Sequence, residues 1–456
     1  MSLLKYSKYL LALSPLLVNI TNAQVIQQVD TDGNGVSSSS SSSDKAFSLS
    51  PDGQYAVFVT RGDNIHGGGT SGDSYIVLKN LSDESISVLD TGSENIDVGS
   101  FSADSSVLAY LALDTVSYSI TAKFYDMSTG TTTTLTDSSN NPVLINSDRG
   151  VIELSSDGRY ALFNTDMALT ANDLNSYYPY SDYYLYDRQN DTFRLVTKGY
   201  NGLATGFDYS GKIVFAKDGD YLVWSTESDQ VVSGYPVNSG ETTHFVIEAA
   251  TGNVINIIEG GPYQTVQNIS DDGSIILITD PYNGGHVLVY ETLTGNLLET
   301  LPVTNNIHIV KLSGDGRYAF FVSYDTLASE DVSLGDDIYV YEIGSNNPPA
   351  LVSIAADGTQ LFAGYFGSTR EVYIEDISAD GKSIIFSAYG SYFDPADYYT
   401  HIFLANNPLF SSPDPVDPTN PSGSGSATAI PTMPFMGLFA IFAILIGAVR
   451  WHYYRR

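Results

Sequence analysis

Six histidines, at positions 66, 244, 286, 308, 401 and 452, and a complete lack of cysteine bound the chemistry open to this chain. Without thiols there is no disulfide, no thiolate nucleophile and no Cys-ligated zinc. His244, His286 and His401 each open a short apolar run in a different part of the chain, and no two histidines stand at metal-ligand spacing. No resident cofactor is expected. Asp30-Thr-Asp32-Gly-Asn34-Gly35 has the alternating oxygens that begin a calcium loop. An EF-hand needs a bidentate acid at its twelfth position, and counted from Asp30 that residue is Ser41. Asp30, Asp32 and Asn34 are thus weak calcium candidates only. Gly423-Ser-Gly425 lies in a Ser/Pro-rich stretch and has no strand–turn–helix setting for a nucleophile elbow.

Tyrosine is the other chemistry-bearing residue, with 33 copies. Tyr177, Tyr178 and Tyr180 in NSYYPYSD, and Tyr392 in YGSYFDPADYY, fall in Asp/Ser/Gly-rich segments. A phenol ring presents an amphipathic surface at low entropic cost, which suits a protein or polysaccharide partner. Tyr183, Tyr184 and Tyr398, beside apolar runs, are expected to pack internally.

Charge removes one partner class. There are 52 acidic and 20 basic residues, a net charge of −32. Lys5, Lys8, Arg450, Arg455 and Arg456 sit in acid-free ends, leaving 15 basic against 52 acidic residues, or −37, in 24–449. Such a surface repels phosphate backbones, so no nucleic acid is expected.

The elements that carry these residues repeat. LSPDGQYAVFVT from Leu49 recurs as LSSDGRYALFNT (Leu154), FAKDGDYLVWST (Phe215), ISDDGSIILIT (Ile269), LSGDGRYAFFVS (Leu312) and ISADGKSIIFSA (Ile377). A degenerate copy, FSADSSVLAYLA from Phe101, lacks the glycine. In each unit an Asp-Gly turn joins two β-branched and aromatic runs, and a second pair follows, as in DYYLYD then FRLVT. Four antiparallel strands repeated seven times with little helical periodicity predict an all-β, seven-bladed β-propeller over 24–408. The seventh unit runs out after three strands, and Val25–Val29 matches the outermost strand of other units. The start of the exported chain is therefore expected to close the last blade.

The unit Ser-x-Asp-Gly-x-Tyr-x-x-Phe, with a later Asp-x-Tyr-x-Tyr-Asp, resembles the propeller repeats of the TolB-like periplasmic family and its WD-like relatives. That resemblance implies a periplasmic or envelope setting. The N-terminal α/β domain of that family has no counterpart here, so its lipoprotein-partner role is not implied.

Label the strands of a blade a to d outward from the axis. The a–b and c–d turns then share one face, where only tight Asp-Gly and Thr-Gly turns occur. The b–c and d–a connections share the other, and all the long loops fall there. Function is expected on that long-loop face. His308, opening strand a of the sixth unit, is the histidine placed for acid–base work at the axial opening.

The ends read as address labels. Residues 1–23 have Lys5 and Lys8, an apolar run, then Thr21-Asn22-Ala23, the pattern of a signal peptide cut after Ala23. Residues 409–429 are a Pro/Ser/Gly linker. In 430–456, Ile430-Pro431-Thr432-Met433-Pro434 precedes an apolar run and a basic tail, predicting one transmembrane helix with its tail in the cytoplasm. This short motif, helix and Arg cluster resembles bacterial C-terminal sorting signals cut by exosortase-type proteases, with Met433 standing where the nearest variety has leucine. A plain stop-transfer anchor is the alternative. The sequence thus predicts an exported, membrane-tethered or surface-sorted non-catalytic binding module. A polysaccharide lyase or glycosidase, or a structural envelope component, stands as the alternative.

Overall fold

The structure is a computed structural model. It describes residues 26–410 apart from the connecting segments 68–72, 92–98, 115, 146–149, 175–180, 205–211, 236–239, 282–284, 304–306, 333–334, 355–359, 361–371 and 390–398. Seven antiparallel sheets, six of them a–b–c–d in sequence order, form the blades of a β-propeller. The innermost strands are Ser42–Leu49, Gly99–Phe101, Ile152–Leu154, Lys212–Phe215, Thr265–Ile269, Ile307–Leu312 and Tyr373–Ile377, in blades 1 to 7.

The repeated Ser-x-Asp-Gly turn explains why these strands pair as they do. In blade 1 the Ser50 hydroxyl donates to Asp52 Oδ1 at 2.6 Å and accepts the Tyr55 amide at 2.8 Å, while Asp52 accepts the Gln54 amide at 3.0 Å. Gly53 takes the left-handed φ of +69° that the turn requires. Blade 2 keeps the same bonds with Ser105 forced to φ +56° where the others have glycine. Blade 4 alone has alanine, Ala216, in place of the serine.

Between blades the faces of neighbouring sheets interdigitate. Tyr318, Phe320 and Val340 of blade 6 pack on Ile374, Ile384 and Phe386 of blade 7, all fully buried or nearly so. Each such side chain contributes roughly 1.5–3 kcal/mol of burial. On the tight-turn face a belt of backbone hydrogen bonds links consecutive turns. Ala103 donates to Ser156 O, Ser156 to Lys217 O, Asp271 to Gly314 O and Asp315 to Ala379 O.

Blade 7 takes its outermost strand from the other end of the chain. Ile26–Gln28 pairs with Thr400–Asn406, placing Ile26 opposite Ala405 and Gln28 opposite Phe403. Just past this strand, the buried Asp30 carboxylate receives Ser42 Oγ at 2.7 Å, Gln28 Nε2 at 2.9 Å and the Ile402 amide at 3.3 Å, and pairs with His401 Nδ1 at 2.8 Å. Lys79 of blade 1, wholly buried, donates to Val29 O and Thr31 O at 3.0 Å each and pairs with Glu84 at 2.5 Å. Blade 2 departs from the pattern. Its outer strand is split, Thr131–Thr134 and Leu144–Ile145 both pairing with Ser119–Asp126.

Among the described residues no helix is long and apolar enough to cross a membrane. The signal-peptide, linker and sorting-signal segments, with Ala23 and Ile430–Pro434, lie outside the described residues.

Candidate functional site

The axis holds a cavity of about 200 Å³ lined by the seven innermost strands and the turns that follow them. Its wall is uneven. Blades 1 and 2 offer Ser48, Gly99 and Ser100, whereas blades 3 to 7 bring in Glu153, Lys212, Lys217, Asp271, Lys311, Glu375 and Asp376.

Two local departures from the repeat aim these charges inward. The residue between Ser and Asp in the turn faces the axis, and in blades 4 and 5 it is Lys217 and Asp271. Gly314 stands at that position in blade 6, and a Cβ there would lie 2.2 Å from Asp271 Oδ2, so the glycine makes room for the carboxylate. In blades 5 and 7 a break in register, between Val266 and Asn268 and between Ile374 and Asp376, turns two successive side chains to the cavity.

The hydrogen bonding of this cluster is sparse. Lys212 Nζ donates to Gln267 O at 3.1 Å and to Gln267 Oε1 at 3.2 Å. Lys311 sits 3.6 Å from Glu375. Asp376 is better anchored, accepting Ser48 Oγ at 2.7 Å and the Leu49 amide at 3.1 Å across the blade 7–blade 1 seam. The Lys217 ammonium makes no hydrogen bond to protein among the described residues.

Burial governs the protonation of the group. It pushes the Lys212 ammonium down to about 8, with Lys311 adding repulsion and Glu153 and Glu375 opposing. Glu153, Asp271 and Glu375 are raised by burial despite their lysine neighbours. At Lys217 burial opposes the charge, but Asp376, Asp271 and Glu153 outweigh it and lift the group above the ordinary lysine value. Displaced protonation of several groups around one cavity marks a candidate functional site.

The residues singled out from the sequence are placed differently. Asp30 serves ring closure as described above. Asp32 Oδ1 accepts the Asn34 and Val36 amides at 2.8 and 2.9 Å, closing a turn that recurs after blade 2, where Asp137 accepts the Ser139 and Asn141 amides. Asn34 is exposed. Among the described residues no group of His, Asp or Glu is arranged to hold a metal. His308 lies within the innermost strand of blade 6, and its side chain falls outside the described residues. Tyr177, Tyr178, Tyr180 and Tyr392 also lie outside them, as does Tyr398. Tyr184 is fully buried, its hydroxyl donating to Asp173, which pins the b–c loop of blade 3. Tyr339 and Asp331 repeat that arrangement in blade 6.

The long-loop face carries the second candidate surface. Of the sixteen large hydrophobic side chains exposed among the described residues, ten sit on b–c or d–a connections. Val116, Tyr118 and Val332 are the most open, at 87, 79 and 78% exposure. Leu174, Tyr200 and Tyr399 lie on the same face.

No family model matches the chain, and no curated protein matches its sequence. Similar solved structures are many and share the fold. The β-propeller domain of the Trilobed protease from Pyrococcus furiosus, described as an open velcro topology, is 10% identical, with 83% of this chain and 99% of that one covered and a TM-score of 0.51. An oligogalacturonate lyase in complex with manganese is 13% identical over 86% of this chain and 95% of that one, TM-score 0.51. TolB from Acinetobacter baumannii is 14% identical, TM-score 0.40. The match covers 61% of this chain, and the chain spans 59% of the length of that TolB. At these identities the likeness establishes a β-propeller fold.

Proposed function

We propose that the chain is an exported β-propeller of the bacterial envelope that acts as a binding module, engaging a protein or polysaccharide on its long-loop face. The observation that carries this reading is the crowding of exposed apolar and aromatic side chains onto that face. Single exposed hydrophobes are ordinary, but their concentration on one face favours an interaction surface there. The loops that bear it stand on a rigid ring, the arrangement in which variable loops recognise partners. The signal peptide cut after Ala23 and the tail from Ile430 to Pro434 supply the address, with the membrane reached through the C-terminal helix and a sorting protease acting at the motif.

The test is a glycan and envelope-protein binding screen with the purified protein, paired with Tyr118→Ser and Val116→Ser. A partner whose affinity falls at least tenfold in the double variant, with an unchanged melt, bears the reading out. A panel without any binder, or a binder indifferent to both changes, defeats it. A fractionation blot against both ends of the chain reports whether the tail is removed.

One observation favours a second reading, a propeller enzyme of lyase or glycosidase type acting on polysaccharide. The axial lysines and carboxylates have displaced protonation, as acid–base catalysts do. Turnover of a polysaccharide panel, abolished by Lys212→Met, would carry that reading over the binding one.

A further inference from the structure

One seam between blades is built unlike the other six. Opposite the fourth residue of strand b, strand c turns a side chain toward the preceding blade, and in six blades that side chain is apolar: Val77, Tyr184, Phe245, Leu288, Tyr339 or Phe403. In blade 2 the same place holds Lys123, opposite Tyr110. It pairs with Asp90 in the outer strand of blade 1, the two side chains 23 and 25% exposed. Thr134 stands opposite Lys123 in the outer strand, where blades 3, 4 and 6 have Leu195, Ile257 and Leu351. A half-exposed ion pair stabilises less than a buried apolar side chain, so both exchanges weaken the seam.

A cleft of about 680 Å³ lies at this place. Along strand c, Ser119, Thr121 and Lys123 alternate onto its wall, with Ala112 and Asp114 beside them on strand b. The split outer strand supplies Thr134 and Leu144, and Met167 reaches in from blade 3, its sulfur accepting the Leu144 amide at 3.1 Å. Asp114 is fixed by its own turn, accepting the Val116 amide and the Ser117 hydroxyl at 2.8 Å each. The Thr121 and Thr134 hydroxyls make no hydrogen bond to protein among the described residues. Clefts that hold small molecules run to about 300–1,000 Å³, and this one falls within that range.

The chemistry of the wall selects the ligand. Lys123, the one basic residue lining the cleft, is already neutralised by Asp90, so an acidic sugar finds no free positive charge. The other polar groups are mostly hydroxyls, with the Asn141 amide, and these both give and accept hydrogen bonds with a ligand's own hydroxyls. Leu144, Pro142 and Met167 add apolar surface for the C–H face of a ring. A peptide added as a strand would need a free sheet edge for its backbone, whereas this wall is the face of a sheet. We infer that the cleft binds a short neutral oligosaccharide, with the Lys123–Asp90 pair, Thr121 and Thr134 meeting its hydroxyls and Leu144 and Met167 its apolar faces. This rests on the binding reading above and narrows its partner to polysaccharide. It sets the contact beside Val116 and Tyr118, whose turn Asp114 and Ser119 flank.

Isothermal titration of the full chain, in a detergent without a sugar headgroup, tests this. The probes are maltotetraose, cellotetraose, mannotetraose and chitotetraose, with tetragalacturonate as the charged control. At least one neutral tetrasaccharide is expected to bind, at least tenfold more tightly than tetragalacturonate. Lys123→Leu, which restores the apolar residue of the other blades, should weaken it at least tenfold with an unchanged circular dichroism spectrum. Thr134→Leu, on an exposed strand, should do the same without touching the ion pair. Lys382→Met, on an exposed turn of blade 7, should leave the affinity unchanged. Absence of binding by every neutral probe at millimolar concentration overturns the inference. So does tetragalacturonate binding as well as the neutral sugars, or full affinity in either variant while it is folded. A protein partner lost in the Val116→Ser, Tyr118→Ser double variant, from a chain that binds no saccharide, overturns the cleft and leaves the binding face standing.

Discussion

Two polar clusters lie inside this ring, and they are built on opposite terms. At the seam between blades 7 and 1, Asp30 has four partners and Lys79 is enclosed by two carbonyls, the Thr31 hydroxyl and Glu84. Around the axis, the Lys217 ammonium and Asp271 carboxylate interact through charge with no side-chain hydrogen bond among the described residues, and Lys212 relies on Gln267, through its amide side chain and its backbone carbonyl. A fully satisfied buried network fixes a fold, whereas an under-satisfied one is a liability that structure alone does not repay. The seam is closed by protein groups on every side, whereas the axial charges are half-buried and face a cavity.

The sharpest way to break this contrast is at Asp30. Asp30→Ala would strand His401, Ser42 and the Ile402 amide in the interior, and removing one partner of a buried pair costs about 3–5 kcal/mol. Deleting 24–30 should lower the melting temperature further, because the outer strand of blade 7 goes with it. A calorimetric melt unmoved by either change would remove the seam's role.

A smaller effect comes from pairing two histidines that occupy matching places. His401 opens strand c of blade 7 and has a carboxylate, while His244 opens strand c of blade 4 and has only Ser225 Oγ, at 2.7 Å. Burial pushes His244 down to about 4 from 6.5. Between those values the unfolded chain binds a proton that the folded chain refuses, so stability falls as pH drops from 6.5 to 4. The loss reaches roughly 3 kcal/mol at the lower end. Chemical denaturation across that window should show a shallower pH slope in His244→Gln than in the parent, and equal slopes would contradict the assignment.

The smallest expected change is at the axis. Lys217→Met removes a charge that Asp376, Asp271 and Glu153 favour against its burial, and should lower the melt only slightly. A drop as large as that of Asp30→Ala would place the axis among the stabilising clusters.

The fold was legible because its turn is written in side chains. The bonds from Ser to Asp and to the fifth amide onward need those residue types at those offsets, so the period shows through a sequence that matches no family model. Ring closure was legible too, since Val25–Val29 reads like other outer strands. The axial cluster is hard to see along the chain, although its signal is present. The variable residue of each turn looks like filler along the chain, and only the ring brings Lys217 beside Asp271. The clue was local: blade 4 departs from the serine where it gains the lysine. Asp30 looks like a calcium candidate along the chain because its neighbours alternate oxygens. Its actual partners, His401 and Ile402, lie at the far end of the sequence.

That last pairing sets a clock. Ile26 waits for Ala405, so a chain emerging from the ribosome holds its first strand without a mate until nearly all the rest has appeared. At 5–20 residues per second the wait is roughly 20–75 seconds. Throughout it the ring is open, its first strand presents an unpaired edge, and the barrel of blades has no means of locking. Synthesis thus delivers a nearly finished but unlatched molecule, and a single terminal event converts it to the closed form.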